Sequence, residues 1–430
     1  MPSTSNIPPP LIGSKEGTFA FLTVRDRWPK ILGKIVDHVH RYRYAHIAVH
    51  GEEGEKDIKS VLSQLSELSH RVCTDKKLQN LDDDGEKVDI WNEELTELQT
   101  KKGAEQVTWY RCDWLFAECF LYRQIMSLFF KTTTLKEFDP FASQKQSSFI
   151  GCIDSITMLA KHVKEVESDQ EKVEEATILR FIQFCLWGNK CDLSLSCGER
   201  AASLPLTDMV DQLVDKILCN QINEVGCILR NGEVSRVDIV LDNSGLEFFA
   251  DLALADLLVG KCGVKKVVFH GKSMPWFVSD VTGRDFNWTI EMLISNSNCL
   301  LKDFGVKCSR RLCDGEFVFR THYFWTLPYP YCLMAERAPD LHGDLSKSSL
   351  IIFKGDYNYR KLVSDLDWPL DTPFKIALRG FAPAPILALR TIKAETVAGL
   401  SSNVIDTLHK KYSSKIWMTT GEYAVAQFVK

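Results

Sequence analysis

Val237-Asp238-Ile239-Val240-Leu241-Asp242-Asn243-Ser244-Gly245 carries the two signals that set the fold class. The first five residues are a β-branched apolar run of strand length. The next four are turn and cap residues. Leu246, Phe249, Ala250, Ala253, Leu254 and Leu257 then form the apolar stripe of a helix. Further on, 265–270 reads as the next strand and 289–295 as helix. Residues 316–325 and 349–353 read as strands. Residues 374–379 and 386–390 are short and ambiguous, 394–400 starts helical, and 416–429 offers a last strand with a turn at Gly421. Strands alternating with helices imply a largely parallel sheet covered on both faces.

Upstream the chain changes character. Trp28, Ile31, Leu32, Ile35, Val36 and Val39 make one helical stripe within 25–47, and Ile58, Val61, Leu62, Leu65 and Leu68 another within 56–72. Residues 73–106 are charged and read as a loop followed by a helix near 90–98. Residues 109–130 are strongly apolar and aromatic, interrupted by Glu118 and Arg123. The run 161–175 reads as a solvated helix face, and 178–186 as buried helix. Gly188-Asn189 fits a helix C-cap. No internal repeat is present. The expected organisation is a disordered lead-in over 1–16, a mainly helical region over 17–230 and a sheet domain over 231–430.

At 430 residues, 45% hydrophobic and 25% charged, the chain is globular. A net charge of −5 provides no general basic field for nucleic acid or an anionic membrane. No apolar run approaches the roughly 20 residues of a membrane span, and no secretory core is seen. The 14 cysteines are scattered without a Cys-x-x-Cys pair, which reads as reduced structural thiols in an intracellular, cytoplasmic protein. Nuclear presence is compatible with this, although no basic import cluster stands out. His270, His322 and His342 have no partner at metal-ligand spacing.

Three polar clusters lie just beyond predicted strands: Asp242-Asn243, Asp280, and Asp356/Asn358/Arg360 after Leu350-Ile351-Ile352-Phe353. Open parallel sheets bind ligands outside the carboxyl ends of their strands, so these clusters can converge. Carboxylate and amide oxygens suit a hard cation such as Mg²⁺ or Mn²⁺. Ser244-Gly245 at a helix start offers backbone N–H groups to an anion. Arg390-Thr391-Ile392-Lys393 is a fourth candidate, two cations able to share an anion from one helical face. Each piece taken alone also reads as an ordinary turn, cap or solvated pair.

Taken together with Leu186-Trp187-Gly188-Asn189-Lys190-Cys191-Asp192-Leu193-Ser194 and Pro275-Trp276-Phe277-Val278-Ser279-Asp280, these motifs resemble the damage-control phosphatases. The likeness is to their subfamily III, in which Arg-Thr-x-Lys is a hallmark, and it runs from about Gly17 to the C-terminus. It implies a Rossmann-like α/β/α sheet domain preceded and partly wrapped by a mainly helical N-terminal region. It also implies a divalent metal (Mn²⁺, Co²⁺, Ni²⁺ or Mg²⁺) held by Asp242, Asn243 and Asp280. The implied substrate positions are these three together with Glu247, Asp356, Tyr357, Asn358, Tyr359, Arg360 and Lys393. Tyr357 stands where relatives commonly carry Leu.

The reaction implied is hydrolysis of small phosphorylated sugars such as fructose 1-phosphate and fructose 6-phosphate. Asp242 and Asp280 would be catalytic, with Arg360 and Lys393 paired on the phosphate, and Glu247 or Asp280 able to serve as general base. The subfamily is also described as carrying S-adenosylmethionine-dependent protein-glutamate methyltransferase activity, which would bring a protein partner. No Gly-x-Gly loop follows the first sheet strand to favour that cofactor.

Overall fold

The computed structural model describes residues 7–171, 173–196, 210–230 and 234–430, with the backbone alone described for 189–196. Seven strands form one sheet: β1 (Ile217–Asn220), β2 (Arg236–Val240), β3 (Lys266–Gly271), β4 (Phe317–Thr321), β5 (Leu350–Lys354), β6 (Ile386–Thr391) and β7 (Ala424–Val429). Across the sheet the order is β1-β7-β6-β5-β2-β3-β4. The five strands from β6 to β4 are parallel. β7 pairs antiparallel with β6, and β1 runs with β7. Chain order reverses between β2 and β5, which pair directly. Such a switch point leaves a crevice between two strand ends, because successive connections depart to opposite sides.

Strand period places alternate residues on opposite faces. Val237, Ile239 and Leu241 belong to one buried cluster with α5 (Ile153–Ser168), α6 (Glu175–Ser196) and α8 (Leu246–Lys261). Val240, Ile351 and Phe353 belong to the other, with α1 (Trp28–Cys73), α2 (Val88–Lys102) and α3 (Trp114–Phe130). Helices upstream of the sheet therefore cover both of its faces, giving the α/β/α layering expected. Helix α3 is buried from Trp114 to Phe129. Its two interrupting charges are both neutralised inside: Arg123 by Asp83 at 2.7 Å and Glu118 by Arg360.

Several elements differ from the sequence expectation for local reasons. The stripes within 25–47 and 56–72 lie on one helix bent at Gly51, whose φ of 59° interrupts the ladder. Residues 9–12, expected in the disordered lead-in, are tied down: the Leu11 N–H donates to the Asp365 carbonyl (3.1 Å) and the Trp114 N–H to the Leu11 carbonyl (2.8 Å). Residues 394–400 are not helical, because the carbonyls of Ala394 and Thr396 accept from Arg390 instead of from their own turn. Gly188 does not cap a helix, since α6 continues to Ser196. It lets two helices touch instead: a Cβ there would stand 2.9 Å from Glu247 Cα. The side chains of Asn189 and Asp192 lie outside the described residues. Strand β1 was not anticipated; four residues at a sheet edge leave little period to read.

Candidate active site

The carboxyl end of β2 supplies Asp242 and Asn243. The loop after β3 returns to pair with them: Val281 N–H donates to the Asp242 carbonyl (2.9 Å), Ser244 N–H to the Ser279 carbonyl (2.8 Å), and Asn243 bridges Asp280. Residues forty positions apart in order of magnitude are thus fixed side by side by backbone hydrogen bonds. The loop is strained, with Phe277 at φ 44° and Val278 at φ 70°. Left-handed conformers are costly for such residues and persist where packing enforces them. Here the Phe277 ring lies between Tyr122 (4.5 Å) and Tyr357 (4.2 Å).

Charge is unbalanced at this point. Asp242, Asp280, Glu247 and Asp251 are all buried. Two buried lysines answer them. Lys272 Nζ is 3.2 Å from Asp280 Oδ2, and Lys354 Nζ is 3.2 Å from Glu247 Oε1 and 2.9 Å from Asp251 Oδ1. Burial, then repulsion from Asp280 and Glu247, holds the Asp242 carboxyl well above the usual range. Burial raises Asp280 as well, against the pull of Lys272. Asp251 is pushed up to about 6 by burial. Asn243 is oriented by its neighbours: its amide donates to Asp242 Oδ2 (2.8 Å) and Glu247 Oε2 (3.0 Å) and accepts from the Ser279 hydroxyl.

The residues fit a divalent cation. Four buried carboxylates against two lysines leave a deficit that a divalent ion matches. Asp280 Oδ2 is buried and is met by the Lys272 ammonium at 3.2 Å, its one ion pair among the described residues. The donor set of two carboxylates and an amide is hard oxygen, as Mg²⁺ and Mn²⁺ prefer. Among the described residues no group of three or more His, Cys, Asp and Glu side chains forms a ready cage. The set here contains two carboxylates and relies on Asn243 for its third member.

The turn after β5 completes the crevice. Gly355 has φ +84°, and a Cβ there would fall 1.8 Å from Asp242 Oδ2. Only glycine lets the two strand ends close in this way. Helix α11 (Gly355–Leu362) then distributes its polar residues in different directions. Asp356 Oδ1 accepts from Arg390 Nε (2.8 Å) and from the Lys393 backbone N–H (3.1 Å). Burial alone would raise its carboxyl, but Arg390 and Arg360 outweigh burial and hold it below the usual range. Asn358 donates to the carbonyls of Lys354 (2.7 Å) and Leu241 (3.2 Å) and accepts from the Tyr331 hydroxyl (2.5 Å), which ties α11 to the end of β2. Tyr357 donates to the Trp325 carbonyl (3.2 Å) and Tyr359 to Gln427 Oε1 (2.9 Å). Lys361 donates to the Leu327 carbonyl (2.8 Å), and burial pulls its pKa down to about 7.

Arg360 turns toward α3. Its guanidinium grips Asp365 with two bonds (2.8 and 2.9 Å), pairs with Glu118 and lies 3.7 Å from the Trp114 ring centre. Its donors are thus directed at protein carboxylates, away from the shared phosphate contact with Lys393 that the sequence suggested. Arg390 is a strand residue, so the expected helical face shared with Lys393 does not form. Arg390 lies over Tyr359 at 4.3 Å and holds Asp356. Thr391 and Ile392 are buried, and Ile392 pairs with Tyr423 (2.8 Å). Lys393 is half-buried and makes no ion pair to a described residue. Lys272, Lys354, Asp251 and Ser279 were given no individual role from sequence. The two lysines follow or end strands, and Asp251 lies one helical turn after Glu247, so position at a strand end was the available signal. A cavity of about 190 Å³ reaches the site, lined by Lys145, Ser148, Gly188, Asn243, Glu247 and Ser279.

Comparison with known proteins agrees with the resemblance noted in the motifs. The family model described as the damage-control phosphatase ARMT1-like domain matches residues 23–408. The chain is similar to proteins named damage-control phosphatase ARMT1. It is 39% identical to that of Mus musculus over 97% of this chain and 98% of the relative. For Danio rerio the figures are 39% over 100% and 98%, and for Homo sapiens 38% over 98% and 98%. Among solved structures it is similar to a DUF89 family protein from Pyrococcus horikoshii, 15% identical, covering 75% of this chain and 86% of that one with a TM-score of 0.40. That likeness is too loose to bear on fold or function.

Proposed function

We infer, from the premise that this chain belongs to the damage-control phosphatase family with an ARMT1-like domain, that it is a divalent-metal-dependent phosphatase of small sugar phosphates. Fructose 1-phosphate and fructose 6-phosphate are the substrates we expect. The observation that carries this reading is the buried group of Asp242, Asp280, Glu247 and Asp251, which outnumbers the two lysines, Lys272 and Lys354, that form ion pairs with it among the described residues.

Asp242, Asn243 and Asp280 would hold the cation, which when bound offsets charge on phosphoryl oxygens and lowers the pKa of water. Lys272 favours the charged form of Asp280 against the opposing effect of burial. Ser279 and Glu247 fix the orientation of the Asn243 amide. Asp356 orients the Lys393 backbone, and the Lys393 ammonium is the cation left to meet substrate phosphate. One carboxylate, Glu247 or Asp280, would serve as the general base.

The test is hydrolysis of both fructose phosphates with Mn²⁺ and with EDTA. Chelation should abolish turnover, and Asp280→Asn should lower kcat by about a thousandfold, the order of a lost electrostatic contact in a dry site. Full metal-dependent activity in Asp280→Asn would overturn the assignment. Calorimetry with S-adenosylmethionine on the same sample distinguishes methyl transfer, for which heat of binding without sugar-phosphate hydrolysis would speak.

A further inference from the structure

A second, larger depression of about 950 Å³ adjoins the active-site cavity and shares Gln144, Val278 and Ser279 with it. One wall is the start of α1. Arg27, Lys30 and Lys34 stand at spacings of three and four residues, so they share one helical face spanning about 10 Å. All three are exposed and make no ion pair to a described residue. The remaining charges of the groove do not cancel them: Asp37 pairs with Arg41 at 3.0 Å, and burial lowers the pKa of His38. Arg27 also ends a π-helical segment, Thr23–Arg27, an irregularity frequent at functional sites. The facing wall is the first turns of α4 (Ala142–Gly151), where Ser143, Gln144 and Ser147 supply neutral donors beside the positive helix end. The floor is Phe277, Val278 and Ser279, the strained turn that precedes Asp280.

We propose that this groove is an outer anion subsite of the active centre, and that it takes the second phosphate of a bisphosphorylated sugar. The Ser279 hydroxyl, bonded to Asn243, marks the junction of groove and inner cavity. Three unpaired cations suit a compact dianion. A nucleic acid would meet a chain of net charge −5 and only one short basic face. Arg27 is electrically close to the inner site as well: both it and Asp280 act on the Tyr122 hydroxyl, and Tyr122 stacks on Phe277. The inference rests on the phosphatase reading and deepens it.

The test compares fructose 1,6-bisphosphate with fructose 1-phosphate on the full chain with Mn²⁺. In Lys30→Gln/Lys34→Gln the ratio of kcat/KM, bisphosphate over monophosphate, should fall about tenfold, chiefly through KM, as one lost charge-assisted contact would give. Lys30→Arg/Lys34→Arg should restore it. An unchanged ratio in the glutamine variant overturns the subsite. If neither sugar is hydrolysed, the phosphatase reading fails, and titration calorimetry of fructose 1,6-bisphosphate still decides the groove. There, about tenfold weaker binding in the glutamine variant supports the subsite, and equal binding overturns it. A groove that discriminates acidic peptides by these lysines while indifferent to the bisphosphate likewise overturns it.

Discussion

Asp242, which is buried, and Asp356, which keeps part of its side chain in contact with solvent, follow neighbouring strands, β2 and β5, and their carboxyls are pushed in opposite directions. Asp242 meets two further carboxylates and a glycine Cα. Asp356 meets two guanidinium groups and a backbone N–H. The difference separates two kinds of charged cluster. Around Asp356 and Arg360, every charge has a counter-charge and the cluster acts as scaffold. Around Asp242 and Asp280 the protein leaves negative charge uncompensated, a cost that persists where something else is meant to bind.

Breaking the scaffold should give the largest effect on stability. Arg360→Ala strands Glu118 and Asp365 in the interior, and urea unfolding should show a loss of about 3–5 kcal/mol. A loss below about 1 kcal/mol would mean that the pairing is weak. Gly355→Ala should act on the other region. A Cβ cannot coexist with the Asp242 carboxylate as placed, so phosphatase kcat should fall by at least about a hundredfold. Unfolding should register only about 1–3 kcal/mol from the strained φ. Asn358→Ala joins the two regions, since its amide spans the ends of β5 and β2. We expect roughly 1–3 kcal/mol of destabilisation by thermal melting, from partners left unsatisfied.

The smallest effect is one of pH. The Asp356 carboxyl lies below its ordinary value of about 3.9, so the folded state favours its charged form. Its contribution is present above that ordinary value and lost as pH falls through the folded one. Asp356→Asn should therefore be destabilised relative to wild type at neutral pH, with the gap narrowing on acidification. A gap independent of pH between neutral and pH 3 would remove the carboxylate from the account.

Much of this was legible beforehand. Parallel strands reveal themselves as buried apolar runs, so β2, β3 and β5 could be read directly, and their polar ends marked Asp242, Asn243, Asp280 and Asp356. What was not legible depends on partners remote in sequence. Nothing local in Asp356-Tyr357-Asn358-Tyr359-Arg360 shows that Arg360 meets Glu118 242 positions away and Asp356 meets Arg390. Residues 394–400 carry helix-forming side chains, but a long-range guanidinium takes their carbonyls. Gly355 stands just beyond the apolar run of β5, but its role as the seat of the Asp242 carboxylate needs both strand ends in place.

We propose that the Asp242–Asp280 cluster holds a divalent cation, and thermal unfolding tests this without reference to turnover. Mn²⁺ at about a hundred times its Kd should stabilise the wild-type protein by about 2.7 kcal/mol, with EDTA reversing the shift. Asp280→Asn, measured in the same buffers, should show little or no such shift. An equal Mn²⁺ shift in both proteins, or none in the wild type, would contradict the account.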